Sequence, residues 1–200
     1  MAEISTIAVI GAGVLGREIA HQAALAGYDV ILEDVLPNAL RRAEREILSS
    51  LDQAVEMGIV PSIQARFAAG RLQYAGNVEE AAREADLVVE AVPEELESKI
   101  EIFTLLDKIC RPHTVLVSST STLGIAEIAS VTFRASRCIG MRFIHPVHAM
   151  KSLQIVRGPQ TDDETAAAAT EIARRMKKEV IVVTESTGAE SQPSVAKMVL

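Results

Sequence analysis

Near the N-terminus the chain reads Gly11-Ala12-Gly13-Val14-Leu15-Gly16, a G-x-G-x-x-G spacing. Those residue types suit the binding of a dinucleotide pyrophosphate. Gly11 permits a tight turn, Gly13 lets a phosphate approach the backbone, and Gly16 lets a helix pack closely on a strand. The hexapeptide alone is weak evidence. Here it directly follows a β-branched run and opens an amphipathic stretch, the context that makes it specific. The amides of Gly11, Ala12, Gly13, Val14, Leu15 and Gly16 then lie around the start of a helix, where the dipole favours an anion. Eighteen residues after Gly16 comes Asp34, close to the offset of a ribose-binding carboxylate. The next arginine is Arg41, so nothing nearby awaits a 2′-phosphate, and NAD is favoured over NADP. Glu33 is the neighbouring alternative, but strand alternation turns it to the other face.

These residues need a strand, a helix and a second strand to position them, and the chain supplies that order repeatedly. Strands are expected at residues 4–10, 29–33, 72–74, 87–92, 114–118, 138–144, 153–156 and 180–183. Helices are expected at 14–26, 38–57, 61–69, 78–84, 94–110, 125–129 and from a capping box at Thr161-Asp162-Asp163-Glu164 to about residue 176. The run at 87–92 does not alternate, as a strand covered on both faces requires. The pattern is α/β: a Rossmann-type, doubly wound, mostly parallel sheet with helices on both faces. The short connection between the runs at 138 and 153 adds antiparallel character.

Composition narrows the function. The 200 residues carry 20 Lys+Arg against 27 Asp+Glu, net charge −7, which argues against nucleic acid as a partner. No stretch approaches eighteen uninterrupted apolar residues, so no membrane-spanning helix is expected. Cys110 and Cys138 are too few for a disulfide scaffold and read as buried thiols. The start carries no signal-peptide pattern, so a cytoplasmic location is expected. No metal-ligand constellation stands out. His21 and His113 are expected to face solvent.

From residue 7 to about 188 the sequence resembles the NAD-binding domain of the 3-hydroxyacyl-CoA dehydrogenases. The resemblance rests on five stretches in order: the glycine hexapeptide, Ala85-Asp86-Leu87-Val88-Val89-Glu90-Ala91-Val92-Pro93-Glu94, Ser118-Ser119-Thr120-Ser121-Thr122-Leu123, Gly140-Met141-Arg142-Phe143-Ile144-His145-Pro146-Val147, and Met150-Lys151-Ser152-Leu153-Gln154-Ile155-Val156. It implies NAD as cofactor, with Ala91, Val92, Glu94 and Lys99 beside it, although Glu94 and Lys99 equally suit an exposed helix face. It implies Ser121 near the nicotinamide and the substrate hydroxyl, although a Ser/Thr-rich turn needs such a residue too. The implied substrate is a 3-hydroxyacyl-CoA, oxidised to the 3-ketoacyl-CoA.

The resemblance fails where the chemistry happens. The family uses a histidine as general base and a glutamate to orient it. This chain has Arg142 and Gln154 there, and His145 where the family has an asparagine near the nicotinamide. Arginine stays protonated and cannot be a base, but it can anchor a carboxylate or phosphate. His145 has a suitable side chain to take the proton, with no carboxylate partner visible in the sequence; His148 lies in the same loop. Two readings follow. One is an NAD-dependent oxidoreductase acting on a hydroxyacyl thioester or another hydroxy acid, with Arg142 as anion anchor and His145 with Ser121 handling the proton. The other is a catalytically silent NAD-binding domain or partner subunit, or a fragment or edited form of a family enzyme. The expected domain is 1–186, with 187–200 a tail or short helix. The family's C-terminal helical domain would begin there, so a homo-oligomer or a separate partner is expected over the face that domain covers.

Overall fold

A computed structural model of the chain describes residues 4–185, so the expected tail at 187–200 lies outside the described residues. Eight strands form one sheet: β1 (Thr6–Ile10), β2 (Asp29–Glu33), β3 (Leu72–Ala75), β4 (Leu87–Glu90), β5 (Val115–Ser118), β6 (Cys138–Arg142), β7 (Ser152–Arg157) and β8 (Glu179–Thr184). Their spatial order is β3-β2-β1-β4-β5-β6-β7-β8. The first six run parallel, β7 is antiparallel to β6, and β8 is parallel to β7. Chain order reverses between β1 and β4. In an open α/β sheet a ligand crevice forms outside the carboxyl ends of the strands at such a point.

The helices are α1 (Val14–Leu25), α2 (Pro37–Glu56), α3 (Ser62–Gly70), α4 (Val78–Ala82), α5 (Leu96–Ile109), α6 (Ile125–Ala129) and α7 (Asp163–Arg175). Each follows its sequence logic. Pro37 supplies the fixed φ of a first turn in α2, whose Ala43, Ile47 and Leu51 recur at helical spacing and are buried. In α7 the cap is Asp162, which accepts from the Thr165 amide at 2.7 Å. Thr161 therefore does not open the expected capping box; its hydroxyl donates instead to the Cys138 carbonyl.

Two apolar layers enclose the sheet. One joins α1, α2, α3 and α7 to residues such as Val9, Leu32 and Ile155, and the other joins α4, α5 and α6 to Ala8, Ile10 and Leu116. Both cysteines are free and buried, as expected. Burial pushes each thiol up to about 11, so they behave as small apolar groups. His21 departs from expectation: it is 8% exposed, on the buried side of α1. Among the described residues, no helix is long and apolar enough to cross a membrane.

Register sets one row of residues along the carboxyl edge of the parallel strands. Ile10 lies level with Glu33 and Glu90, Glu90 with Ser118, and Ser118 with Gly140. That row is the floor of the crevice.

Candidate functional site

The glycine loop is shaped by contacts that admit no side chain. Gly11 has φ +102°, and a Cβ there would lie 2.8 Å from the Ala91 carbonyl oxygen. A Cβ on Gly16 would stand 1.8 Å from the Gly11 carbonyl oxygen. Gly13 is different: its backbone is extended (φ −64°, ψ −172°), and a Cβ there meets nothing within 4 Å. The space over Gly13 is thus open toward the start of α1, where a pyrophosphate would lie. The first backbone bond of that turn runs from Arg17 N–H to Gly13 C=O, so the amides just before it are the unpaired donors of a helix start. These residues fit a dinucleotide.

Asp34 follows β2 and ties the loop down. One oxygen accepts from the Ala12 amide at 3.0 Å and the other from the Leu36 amide at 2.9 Å. Each carboxylate oxygen keeps a further lone pair for a ribose hydroxyl. Glu33 turns to the opposite side of β2, as alternation requires, and is 2% exposed. Its Oε1 has no partner among the described residues. Burial and the neighbouring Asp34 push its carboxyl up to about 7.

Beneath the crevice runs a polar network that the sequence only hinted at. Lys99 is fully buried; its Nζ lies 2.8 Å from Glu90 and 3.4 Å from both Glu94 and the Val92 carbonyl. Glu90 also accepts from Ser118 and from the Val92 amide. Burial raises the Glu90 pKa, against the pull of the ammonium and these donors. Glu94 gathers the loop after β5: its Oε1 accepts from the Thr120, Ser121 and Thr122 hydroxyls and from the Ser121 and Thr122 amides. Burial would raise Glu94, but those donors and Lys99 bring it down to about 2. Lys99 and Glu94 therefore do not sit on a free helix face. They brace Ala91, Val92 and Ser121, which line the carboxyl ends of β4 and β5.

At the end of β6, Arg142 faces Gln154 across the antiparallel ladder, and its Nη1 donates to Gln154 Oε1 at 3.1 Å. The Arg142 Nε is buried without a partner among the described residues. Three residues on, His145 meets a carboxylate that sequence spacing did not reveal. Its Nδ1 lies 3.0 Å from both oxygens of Glu18, on α1. Glu18 also accepts from the Val147 amide at 2.8 Å. A partner 127 positions away has no local signature, and only the packing of the β6–β7 loop on α1 brings it close.

The same loop borders a cavity of about 560 Å³ between α1, the end of α2 and the end of α7. Leu25, Met57, Val60 and Met176 give it apolar walls, while Lys151, Arg175, Lys177 and Lys178 give it a cationic rim and His148 lies beside them. No carboxylate lines it among the described residues. His21 also faces this cavity, and burial together with the charge of His148 pulls its pKa down to about 4.

The doubly wound sheet, the glycine cradle and the carboxylate after β2 together define a dinucleotide-binding domain. Residues 6–186 match the family described as 3-hydroxyacyl-CoA dehydrogenase, NAD binding domain, and the chain belongs to that family. It is 39% identical over 197 residues to a probable 3-hydroxybutyryl-CoA dehydrogenase of Bacillus subtilis, covering 98% of this chain and 68% of that protein. It is 36% identical over 181 residues to the 3-hydroxybutyryl-CoA dehydrogenase of Bradyrhizobium diazoefficiens, covering 90% of this chain and 61% of that one. Among solved structures, a 3-hydroxybutyryl-CoA dehydrogenase from Escherichia coli superposes with a TM-score of 0.88 at 32% identity, over 91% of this chain and 38% of that chain. The (S)-3-hydroxybutyryl-CoA dehydrogenase from Ralstonia eutropha does so with 0.88 at 31%, over 93% and 65%. The chain thus spans about two thirds or less of the relatives it matches.

Proposed function

We propose that the chain is the cofactor-binding part of an NAD-dependent oxidoreductase for a 3-hydroxyacyl-CoA, with His145 moving the substrate proton. The observation that carries this reading is the cavity beside the β6–β7 loop. In a chain of net charge −7, an apolar pocket with a cationic rim and no lining carboxylate suits an anionic thioester. The cavity's lining residues His148, Ala149, Met150 and Lys151 belong to the loop that holds His145.

NAD, when bound, supplies the hydride acceptor. Gly11 to Gly16 and Asp34 hold its phosphates and ribose, and Ala91 and Val92 border it. Ser121, fixed by Glu94, positions a hydroxyl at the crevice. Arg142 supplies a permanent charge for an anionic substrate group. His145 presents an imidazole there, a side chain able to act as a general base. We place this activity in the cytoplasm.

The Arg142–Gln154 pair favours a second reading, a domain that binds NAD(H) without turnover. The two separate in one experiment. NADH binding is measured by calorimetry, followed by NADH-dependent reduction of acetoacetyl-CoA. Turnover above the blank that is lost in His145→Ala is the expected result. Binding without turnover would establish the silent domain.

A further inference from the structure

We infer that Glu18, on the helix that follows the glycine loop, is the positioning residue that makes His145 a competent base. This rests on the proposed proton role of His145 and names the group that role requires.

A histidine acts as a general base when one ring nitrogen is held as N–H and the other presents a lone pair. Glu18 meets the first condition. Both of its oxygens lie 3.0 Å from His145 Nδ1, which favours the proton on that nitrogen. His145 Nε2 has no partner among the described residues, and the side chain is 60% exposed while that of Glu18 is 19% exposed. The more shielded end of the pair is the carboxylate and the accessible end is the imidazole, the order a base and its orienting group need.

The loop between them is held from two sides. Glu18 accepts from the Val147 amide, and Lys178 Nζ donates to the Val147 and Met150 carbonyls. Besides His145, His21 and Lys178 face Glu18; burial holds His21 in its neutral form, so Lys178 is the cation beside this carboxylate. Glu18 stabilises an imidazolium at position 145. Neither Arg142 nor Gln154 can do so, since one is permanently cationic and the other neutral. The step balances. His145 Nε2 takes the hydroxyl proton, the O–H electron pair becomes the second carbonyl bond, and the C–H hydride leaves for NAD.

The test uses Glu18→Gln, which keeps an oxygen for the Val147 amide but removes the charge and turns the other oxygen into an NH2 donor. Three quantities are read: NADH affinity, kcat and KM for acetoacetyl-CoA reduction, and the His145 tautomer by long-range ¹H–¹⁵N correlation. Glu18→Gln should lower kcat about 100-fold or more, with KM and NADH affinity within about twofold of the parent. It should also erode the Nδ1–H tautomer, and Glu18→Asp should recover part of both losses. If His145→Ala abolishes turnover while Glu18→Gln leaves kcat and tautomer unchanged, the role of Glu18 is wrong and that of His145 stands. If the parent chain turns over and His145→Ala matches it, or if the parent shows no turnover, the reading of His145 fails and this inference fails with it.

Discussion

Gly13 and Gly16 are the same residue type three positions apart, yet their substitutions should fail in different ways. A side chain at Gly16 collides with the Gly11 carbonyl, so Gly16→Val should cost several kcal/mol of stability. A side chain at Gly13 enters open space on an extended backbone. Gly13→Val should therefore keep its melting temperature within a few degrees and lose at least about tenfold in NADH affinity. Calorimetric titration beside a thermal melt separates the two. An intact affinity in Gly13→Val would remove the pyrophosphate from this loop. At this scale the sequence was legible wherever a residue's role depends on its near neighbours. The cradle and Asp34 could be located because turn, helix start and offset are local features. Glu18 could not, since its partner is set by the docking of one loop on one helix. His21 misled for a related reason: a polar side chain within an amphipathic stretch does not reveal that the β6–β7 loop and α7 approach it.

Two elements carry buried ionisable groups that pull stability in opposite directions with pH. His21 on α1 has a folded pKa of about 4 against an ordinary 6.5. The unfolded chain binds the extra proton between those values, so the stability His21 allows is full above 6.5 and is lost as pH falls toward 4. Glu33 at the end of β2 has a folded pKa of about 7 against an ordinary 4.5. Here the folded chain binds the extra proton, so the contribution is full below 4.5 and is lost as pH rises through 7. Each shift corresponds to about 3 kcal/mol, and over the shared window from 4.5 to 6.5 the two slopes oppose each other. Replacing His21 with Leu should leave a stability that declines as pH rises through this window. Replacing Glu33 with Gln should leave one that climbs. Urea unfolding at pH 4.5, 5.5 and 6.5 checks both signs. Element boundaries themselves were largely legible. The unalternating run at β4 and the long apolar stripe of α2 announced a covered sheet and its cover. The start of α7 was misplaced because Thr161 and Asp162 are both capping residues, and tertiary bonding of Thr161 to β6 decided between them.

The sheet of the whole molecule has two edge strands among the described residues, β3 and β8. β8 ends the sheet, and Ile181 and Val182 on it are exposed. An apolar edge strand of this kind recruits a covering surface. Self-association is the expected outcome, with sedimentation showing a mass that rises with concentration and Ile181→Lys shifting it toward the monomer. A concentration-independent monomer would count against that expectation. Net charge at this scale was a poor guide to ligands, because −7 is a sum, and the cavity beside α1 assembles its cations from positions scattered between 151 and 178.

The rung at which Arg142 faces Gln154 also couples two substitutions. The ladder fixes the two positions opposite each other, so a histidine and a glutamate facing there need two changes. Gln154→Glu made first sets a carboxylate against the guanidinium, and the resulting ion pair ties up both side chains. Arg142→His made first leaves an imidazole against a neutral amide. Neither single change sets an imidazole opposite a carboxylate, so on this rung the two positions act as one unit and are read only by the double substitution.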